Sequence, residues 1–408
     1  MAKVKITGHA SGTGVVTVTA PNTSTDRTIT LPDATDTLIG SATTDALTTR
    51  VNATGGRKNM IINGAMNVAQ RATSQTGFTN TYGGYKTVDR FVIVEAGAPS
   101  GVFTITQDTD APDGFASSTK WDCTTSASMA AADVFYIDQR IESQDLQHLS
   151  YGTSGALQTT ISFWVKSNKT GTYVNWFYQA NGARHVQSQY TINTADTWEK
   201  KTYVVPADTS GSMLNNNDVG LYVRFVLGSG TTYTSGTAPT AWAANVSANR
   251  YAGQTVNIAD STANYFNITG VQLELGSVAT DFEHRSYGEE LALCQRYYQR
   301  ITQSAGDYFI MASKGQSSDT TRFAQTLARP LRASPTISQG GGFNQWRCFR
   351  GTSGVLSSTS TPSTVGFVEN AGFVSLQVAG FSGLTDNYFY GTSPSFTSSG
   401  YFDMDSEL

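Results

Sequence analysis

The densest run of acidic side chains is DVFYIDQRIESQD, which carries Asp133, Asp138, Glu142 and Asp145. Glycoside cleavage needs two carboxylates facing each other across a cleft, about 5 to 9.5 Å apart. On a strand, Asp138 and Glu142 share a face at roughly 13 Å, too far for direct partnership. The run therefore reads as a solvated or structural face. His148, His185 and His284 are isolated in the sequence, and each reads as a surface or packing histidine. No GxSxG elbow, HExxH pair or P-loop is present. No residue is assigned a catalytic role, and the chain is not read as an enzyme. Cys123, Cys294 and Cys348 are odd in number and lie far apart, which speaks against a disulfide framework or a zinc set. No cofactor is expected.

Non-covalent recognition is the sharper chemistry. Saccharide rings stack their apolar faces on Trp and Tyr, while amides, guanidinium groups and carboxylates bind the hydroxyls. Trp164 and Trp198 sit at strand-like positions and read as core. Trp176, Phe177 and Tyr178 are consecutive, so a strand either exposes one face's aromatics or splits them between two packed layers. Arg184 and His185 follow in NGARHVQSQY, read as a turn. Nearer the end, QWRCFRG holds Trp346 and Arg347, and DNYFYG holds Tyr388 and Tyr390, each beside a glycine turn. Aromatic and arginine anchors of this kind are what recognition surfaces use. The glycan-binding candidates are thus Trp176, Tyr178, Arg184, His185, Trp346, Arg347, Tyr388 and Tyr390, with a plain core role open for each.

The 408 residues contain 27 Lys plus Arg and 31 Asp plus Glu, a net charge of −4 and only 14 % charged residues. Strong attraction to nucleic acid or to an anionic membrane is not expected from that balance. The short basic spots GGRKN and LARPLR do not alter it. No run of about 18 apolar residues exists, so no membrane-spanning helix is expected. The opening MAKVKITGHASG lacks the apolar core of a signal peptide.

Elements that position the candidates follow from periodicity. Residues 1–55 form short Thr-rich strands and then a helical stretch with Leu47 and Val51 at helical spacing. TGGRKN breaks the pattern. From 56 to 285, apolar–polar alternation recurs about every ten residues, as in VFYIDQRIE, LQTTISFWVKS, TYVNWFYQ and VGLYVRFVL. That count fits a jelly-roll β-sandwich. SYGEELALCQRYYQRI, 286–301, opens on a capping box of Ser286 and Glu289 and predicts a connecting helix. On it, Leu291, Cys294, Tyr298 and Ile301 form a seam that could dock on a domain or pack around a threefold axis, as Leu47 and Val51 could. Residues 302–408 predict a smaller C-terminal β-sandwich, with YFDMDSEL tied into a sheet. The expected class is all-β.

Several segments resemble bacteriophage tail-fibre proteins. GTGVVTVTAPNTSTDRTITLPDATDTLIGSATTDALTTR is similar to their particle-proximal segment. NMIINGAMNVAQR, YKTVDRFVIV, IDQRIESQDLQHLSYGTSGALQTTISFWVKSNKTGTY and ITGVQLELGSVATDFEHRSYGEELALCQRYYQR resemble a carbohydrate-binding-module-like jelly roll of such fibres, and DMDSEL resembles their ends. The resemblance implies a homotrimeric virion structural protein made in the host bacterial cytoplasm. Its N-terminus would attach to the tail or an adaptor protein, and its distal part, 302–408, would bind a host surface glycan during adsorption. Related jelly rolls hold calcium through oxygen ligands, and by position Asp89 and Glu274 would be the residues for such an ion. Two other readings stay open. One is a spacer or adaptor fibre whose distal domain binds another phage protein; the other is a glycan depolymerase with an inter-subunit site.

Overall fold

Strands dominate because apolar and polar side chains alternate with a period of two, which turns one set inward on each strand. The computed structural model describes residues 57–408 apart from 80–83, 98–99, 305–310, 350–354, 368–371 and 386–388. The attachment segment 1–55 with Leu47 and Val51, and Tyr388, lie outside the described residues. All described residues belong to one compact unit, Ala46–Leu408.

Strands are numbered in chain order. One sheet runs β1-β3-β4-β12-β6-β9 and is built from β1 (Ser74–Phe78), β3 (Val102–Asp108), β4 (Ser118–Thr125), β6 (Thr159–Ser167), β9 (Glu199–Val205) and β12 (Tyr265–Leu275). The second runs β11-β8-β7-β10-β5-β2. Its strands are β2 (Phe91–Ala96), β5 (Val134–Glu142), β7 (Gly171–Gln179), β8 (Arg184–Ile192), β10 (Val219–Ser229) and β11 (Ala243–Ala244). These two antiparallel sheets are the expected jelly-roll β-sandwich. Between them pack Phe103, Trp121, Ile161, Phe163 and Phe266 from the first sheet and Phe135, Ile137, Phe177, Val223 and Phe225 from the second. Edge-on ring pairs join the layers, Phe163 to Phe225 at 5.0 Å and Phe103 to Phe135 at 5.2 Å. Each such buried side chain contributes about 1.5–3 kcal/mol.

Trp164 and Trp198 depart from the core assignment, since both are only half-buried. Trp164 alternates with the inward Phe163 and so lies on the outer side of β6. There it covers Gly270, whose φ of +61° marks a bulge in β12 and whose Cβ would sit 2.9 Å from the indole. Trp198 precedes β9 and donates to Asp110 at 3.0 Å. NGARHVQSQY is likewise not a turn: only 180–183 turn, and Arg184–Ile192 is a full strand of the second sheet.

Among the described residues the α-helices are α1 (Thr231–Thr234) and α2 (Tyr287–Cys294). The capping box of Ser286 and Glu289 starts α2 as expected. The helix ends at Cys294, however, not at 301, and the chain re-enters a sheet as β13 (Tyr298–Gln303). The cause is tertiary. Tyr297 and Tyr298 are buried, each under a guanidinium, Arg90 at 3.4 Å and Arg71 at 3.6 Å from the ring centres. Leu291, Cys294, Tyr298 and Ile301 therefore do not share one helical face.

The third sheet runs β17-β16-β20-β14-β15-β19-β18, with β13 also on β20. Its members are β14 (Met311–Gly315), β15 (Thr321–Thr326), β16 (Thr336–Phe349), β17 (Val355–Ser358), β18 (Ser363–Phe367), β19 (Phe373–Val378) and β20 (Phe389–Asp405). Its inward side chains form one core with Trp346, Cys348, Phe323, Leu376 and Phe402. As expected, the end of the sequence is tied into this sheet: β20 runs to Asp405. Beyond it the Glu407 carboxylate is held by Arg71 and Arg90 of the jelly roll, and the Leu408 carbonyl accepts from Tyr85 and Arg140. Arg332 donates to the carbonyls of Ser406 and Glu407 and bridges to Asn217.

Candidate functional site

The inward set of the second sheet is mostly apolar, with Gln139, Asn175 and Ser188 buried among it, and alternation sends a different set outward. In cross-strand register the outer side carries Arg140, Tyr222, Tyr178 and His185 as one row. Next to it run Asp138, Arg224, Trp176 and Gln187, and then Tyr136, Val226 and Val174. Aromatic rings and guanidinium groups thus gather on one sheet face.

A buried ion pair forms the floor. Arg224 donates from Nε and Nη2 to the two oxygens of Asp138 at 2.7 and 2.8 Å. Its guanidinium lies 3.4 Å from the Tyr136 ring centre and 4.7 Å from that of Trp176. Burial works against the charge on Arg224, yet the Asp138 carboxylate and the surrounding phenols hold its pKa well above the ordinary value. Burial likewise raises the Tyr136 and Tyr251 phenols. The segment following α1 roofs one end, with Tyr251 edge-on to Trp176 at 5.9 Å and tilted against Tyr233.

The remaining row is half open. Tyr178 lies flat on Trp176, centroids 5.0 Å apart and planes within 8°, and Tyr222 leans on Tyr178 at 5.6 Å. Both tyrosines are half-buried, as is Arg140, which sits 5.3 Å from the Tyr222 ring centre. At the other end His185 is buried, and its Nδ1 accepts from Trp176 Nε1 at 2.8 Å. Burial, followed by the nearby Arg250 charge, pushes the His185 pKa down to about 4. The result is a two-ring shelf of Tyr178 and Tyr222, braced from below, with the half-buried Arg140 beside it. Such a surface can stack a flat, partly apolar ring and bind its hydroxyls.

Among the sequence candidates, the structure brings together Trp176, Tyr178 and His185. Trp176 and Tyr178 share the outer face while Phe177 enters the core, so the consecutive aromatics do split between two layers. Arg184 points to the other side of β8, where its guanidinium pairs with Asp208 at 2.8 Å and donates to the Trp242 carbonyl. Trp346 and Tyr390 are core residues at 0 % and 3 % exposure, with the Tyr390 hydroxyl accepting from Thr385 N. Arg347 is half-buried on the outer side of β16. Tyr222 and Arg140 were missed. A signal for them existed, since VGLYVRFVL alternates Leu221, Val223, Phe225 and Leu227 inward and leaves Tyr222 and Arg224 outward.

The acidic run has a structural role. Asp138 serves Arg224, and Glu142 accepts from Arg296 Nε and Nη2 at 2.9 and 2.8 Å. Burial works to raise the Glu142 carboxyl, but the bonds and charge of Arg296 carry it below the ordinary value. Asp89 accepts from Gln70 and faces Arg71; burial outweighs them and pushes its pKa up to about 6. Glu274 accepts from Gln272 and Thr280. Asp89 and Glu274 are thus held in separate networks, and no group of three or more His, Cys, Asp or Glu placed to hold a metal occurs among the described residues.

A cleft of about 740 Å³ lies where the chain enters the jelly roll, lined by Lys58, Met60, His148, Leu157 and Arg285 among others. Two of its cations serve the fold. Lys58 donates to Thr280 and to the Asp281 carbonyl, and Arg285 donates to the carbonyls of Asn59 and Ile61.

No protein-family model matches the chain, and no curated protein matches its sequence. Among solved structures, a candidate sugar binding protein from Bacteroides thetaiotaomicron aligns with 54 % of this chain and 100 % of its own, at 14 % identity and a TM-score of 0.30. The enzymatically active domain of tailspike protein 4 from bacteriophage CBA120 aligns with 49 % of this chain and 21 % of its own, at 13 % identity and a TM-score of 0.27. TmCBM61 in complex with β-1,4-galactotriose aligns with 54 % of this chain and 99 % of its own, at 9 % identity and a TM-score of 0.26.

Proposed function

We propose that this chain binds a glycan non-covalently through the Tyr178–Tyr222 shelf of the jelly roll, as part of a phage tail fibre. The observation that carries the reading is the half-open pair of tyrosines on a rigid floor of Trp176, Arg224 and Asp138. Rings already stacked and braced lose little conformational freedom when a sugar lands on them, so contact converts to affinity efficiently. The resemblance of its segments to fibre proteins supports the wider assignment: a homotrimer in the virion, attached through residues 1–55 and made in the host cytoplasm. Three copies per fibre, and several fibres per particle, would turn modest single-site affinities into firm attachment.

The shelf is tested by measuring retention of the purified chain on host-surface polysaccharide. Tyr222→Ala and Tyr178→Ala should each reduce binding about tenfold or more, with the loss of ring packing costing about 1 kcal/mol of stability and leaving the chain folded. Equal binding by both variants, or no binding by the full chain, overturns the shelf. For the wider assignment, the full chain should block adsorption of the phage and scatter light as a trimer; a stable monomer overturns the symmetry.

A further inference from the structure

The outer side of the third sheet belongs to neither the shelf nor the core. Alternation turns Tyr390 inward and so turns Phe389 outward, where it is 73 % exposed. Lys314 is the cross-strand partner of Phe389 on one side and of Arg322 on the other, and Arg322 is the partner of Gln377. Phe389, Lys314, Arg322 and Gln377 therefore form one row across four strands. Alongside it Ala312 pairs with Gly391, and Ala324 pairs with Ser375, which leaves a flat strip of small residues.

Two cations placed directly opposite each other on a sheet destabilise it. No carboxylate lies within ion-pair distance of Lys314 or Arg322 among the described residues; Arg322 Nε donates to the neutral Gln377 Oε1 at 3.0 Å. The carboxylates carried by the described strands of this sheet, Asp403 and Asp405, stand at the far end of β20 and are taken by Arg300 and Arg71. Asp319, in the turn between β14 and β15, accepts from Ser317 and Thr320. Among the described residues this positive pair, beside an exposed aromatic ring, has no carboxylate partner, in a chain whose net charge is −4.

We propose that this face binds an acidic polysaccharide, with Lys314 and Arg322 pairing its carboxylate or phosphate groups and Phe389 stacking on a ring beside them. Charge complementarity selects this occupant: a second copy presenting this same face would oppose cation to cation, and a neutral polymer would leave the pair unrelieved. The inference rests on the reading of the chain as a glycan binder and adds a second, electrostatic contact outside the shelf.

The test uses the full chain on immobilised polygalacturonate and poly(glycerol phosphate), each beside a neutral counterpart, at low and high salt. The acidic polymers should be retained in preference to the neutral ones, with binding that weakens as salt rises. Lys314→Glu with Arg322→Glu should cut that retention about tenfold or more. Lys314→Glu alone should weaken it while leaving the melting temperature equal or higher, because it replaces a like-charge pair by an opposite one. Phe389→Ser should weaken binding without changing its salt dependence. Equal retention of acidic and neutral polymers, or no effect of the double reversal, overturns the proposal. Loss in the double reversal with Tyr222→Ala unaffected supports this face and rejects the shelf. Loss in Tyr222→Ala with the double reversal unaffected rejects this face and leaves the shelf standing.

Discussion

Trp176 Nε1 donates to His185 Nδ1 at 2.8 Å, and the bond fixes the imidazole as the neutral form protonated on Nε2. Burial and Arg250 hold the pKa of this ring at about 4, against an ordinary 6.5. As pH falls below 6.5, the unfolded chain takes up a proton that the folded chain refuses. Stability from this group is therefore complete above 6.5, is lost as pH falls toward 4, and is lost no further below that. Asp89, raised to about 6, gains stability over the same range. Denaturant unfolding at pH 7.5, 5.5 and 4.5 should therefore show the native sequence losing more stability, or gaining less, than His185→Gln, which keeps an acceptor without the titration. Equal slopes would refute it.

Beneath the shelf, Asp138→Asn leaves Arg224 buried without its counter-charge. A loss of about 3–5 kcal/mol is expected, read as a lower denaturant midpoint. Arg224→Met combined with Asp138→Leu should recover much of it, because an apolar pair removes the desolvation of both ions. A double variant no better than Asp138→Asn would show that the charges themselves stabilise this face.

Glu407 brings a buried carboxylate to Arg90, a residue only 1 % exposed, and to Arg71. Glu407→Gln should cost about 3 kcal/mol and should loosen the third sheet from the jelly roll, so that calorimetry resolves two transitions. A single transition at the native temperature would mean that Arg332 and the backbone contacts suffice.

Trp346 is wholly buried and meets Phe402 edge-on at 5.8 Å. Trp346→Ala should lower stability by about 3–5 kcal/mol. Retention on neutral glycan by the variant that remains folded should match the native chain, since the shelf lies on another sheet. A selective loss of glycan binding at unchanged stability would return Trp346 to a recognition role.

Much of the sandwich was legible because alternation is a local signal. VFYIDQRIE, TYVNWFYQ and VGLYVRFVL each became the strand their pattern implies, and Ser286 with Glu289 started a helix where the capping box placed it. RHVQSQYTI was misread because its inward set, Val186, Ser188, Tyr190 and Ile192, is diluted by serine and tyrosine. QRYYQRI was misread for the opposite reason. Its local pattern suits a helix, but Arg71 and Arg90, more than 200 residues earlier, hold the two tyrosines against the jelly roll.

For the sites, the sequence by itself determined which side chains share a face: Trp176 with Tyr178, Asp138 with Glu142, and Tyr390 opposite to Phe389. Those relations follow from a period of two and need no partner strand. Only the tertiary structure decided which outward faces stay open. Tyr251 closes over Trp176, while Tyr178 and Tyr222 remain half exposed; the core takes Trp346, and Phe389 is left in solvent. The same holds for charge: Asp138 and Glu142 find Arg224 and Arg296 through pairings 86 and 154 residues long. Burial and ion pairing are set by which distant strands come together, and no local pattern encodes that.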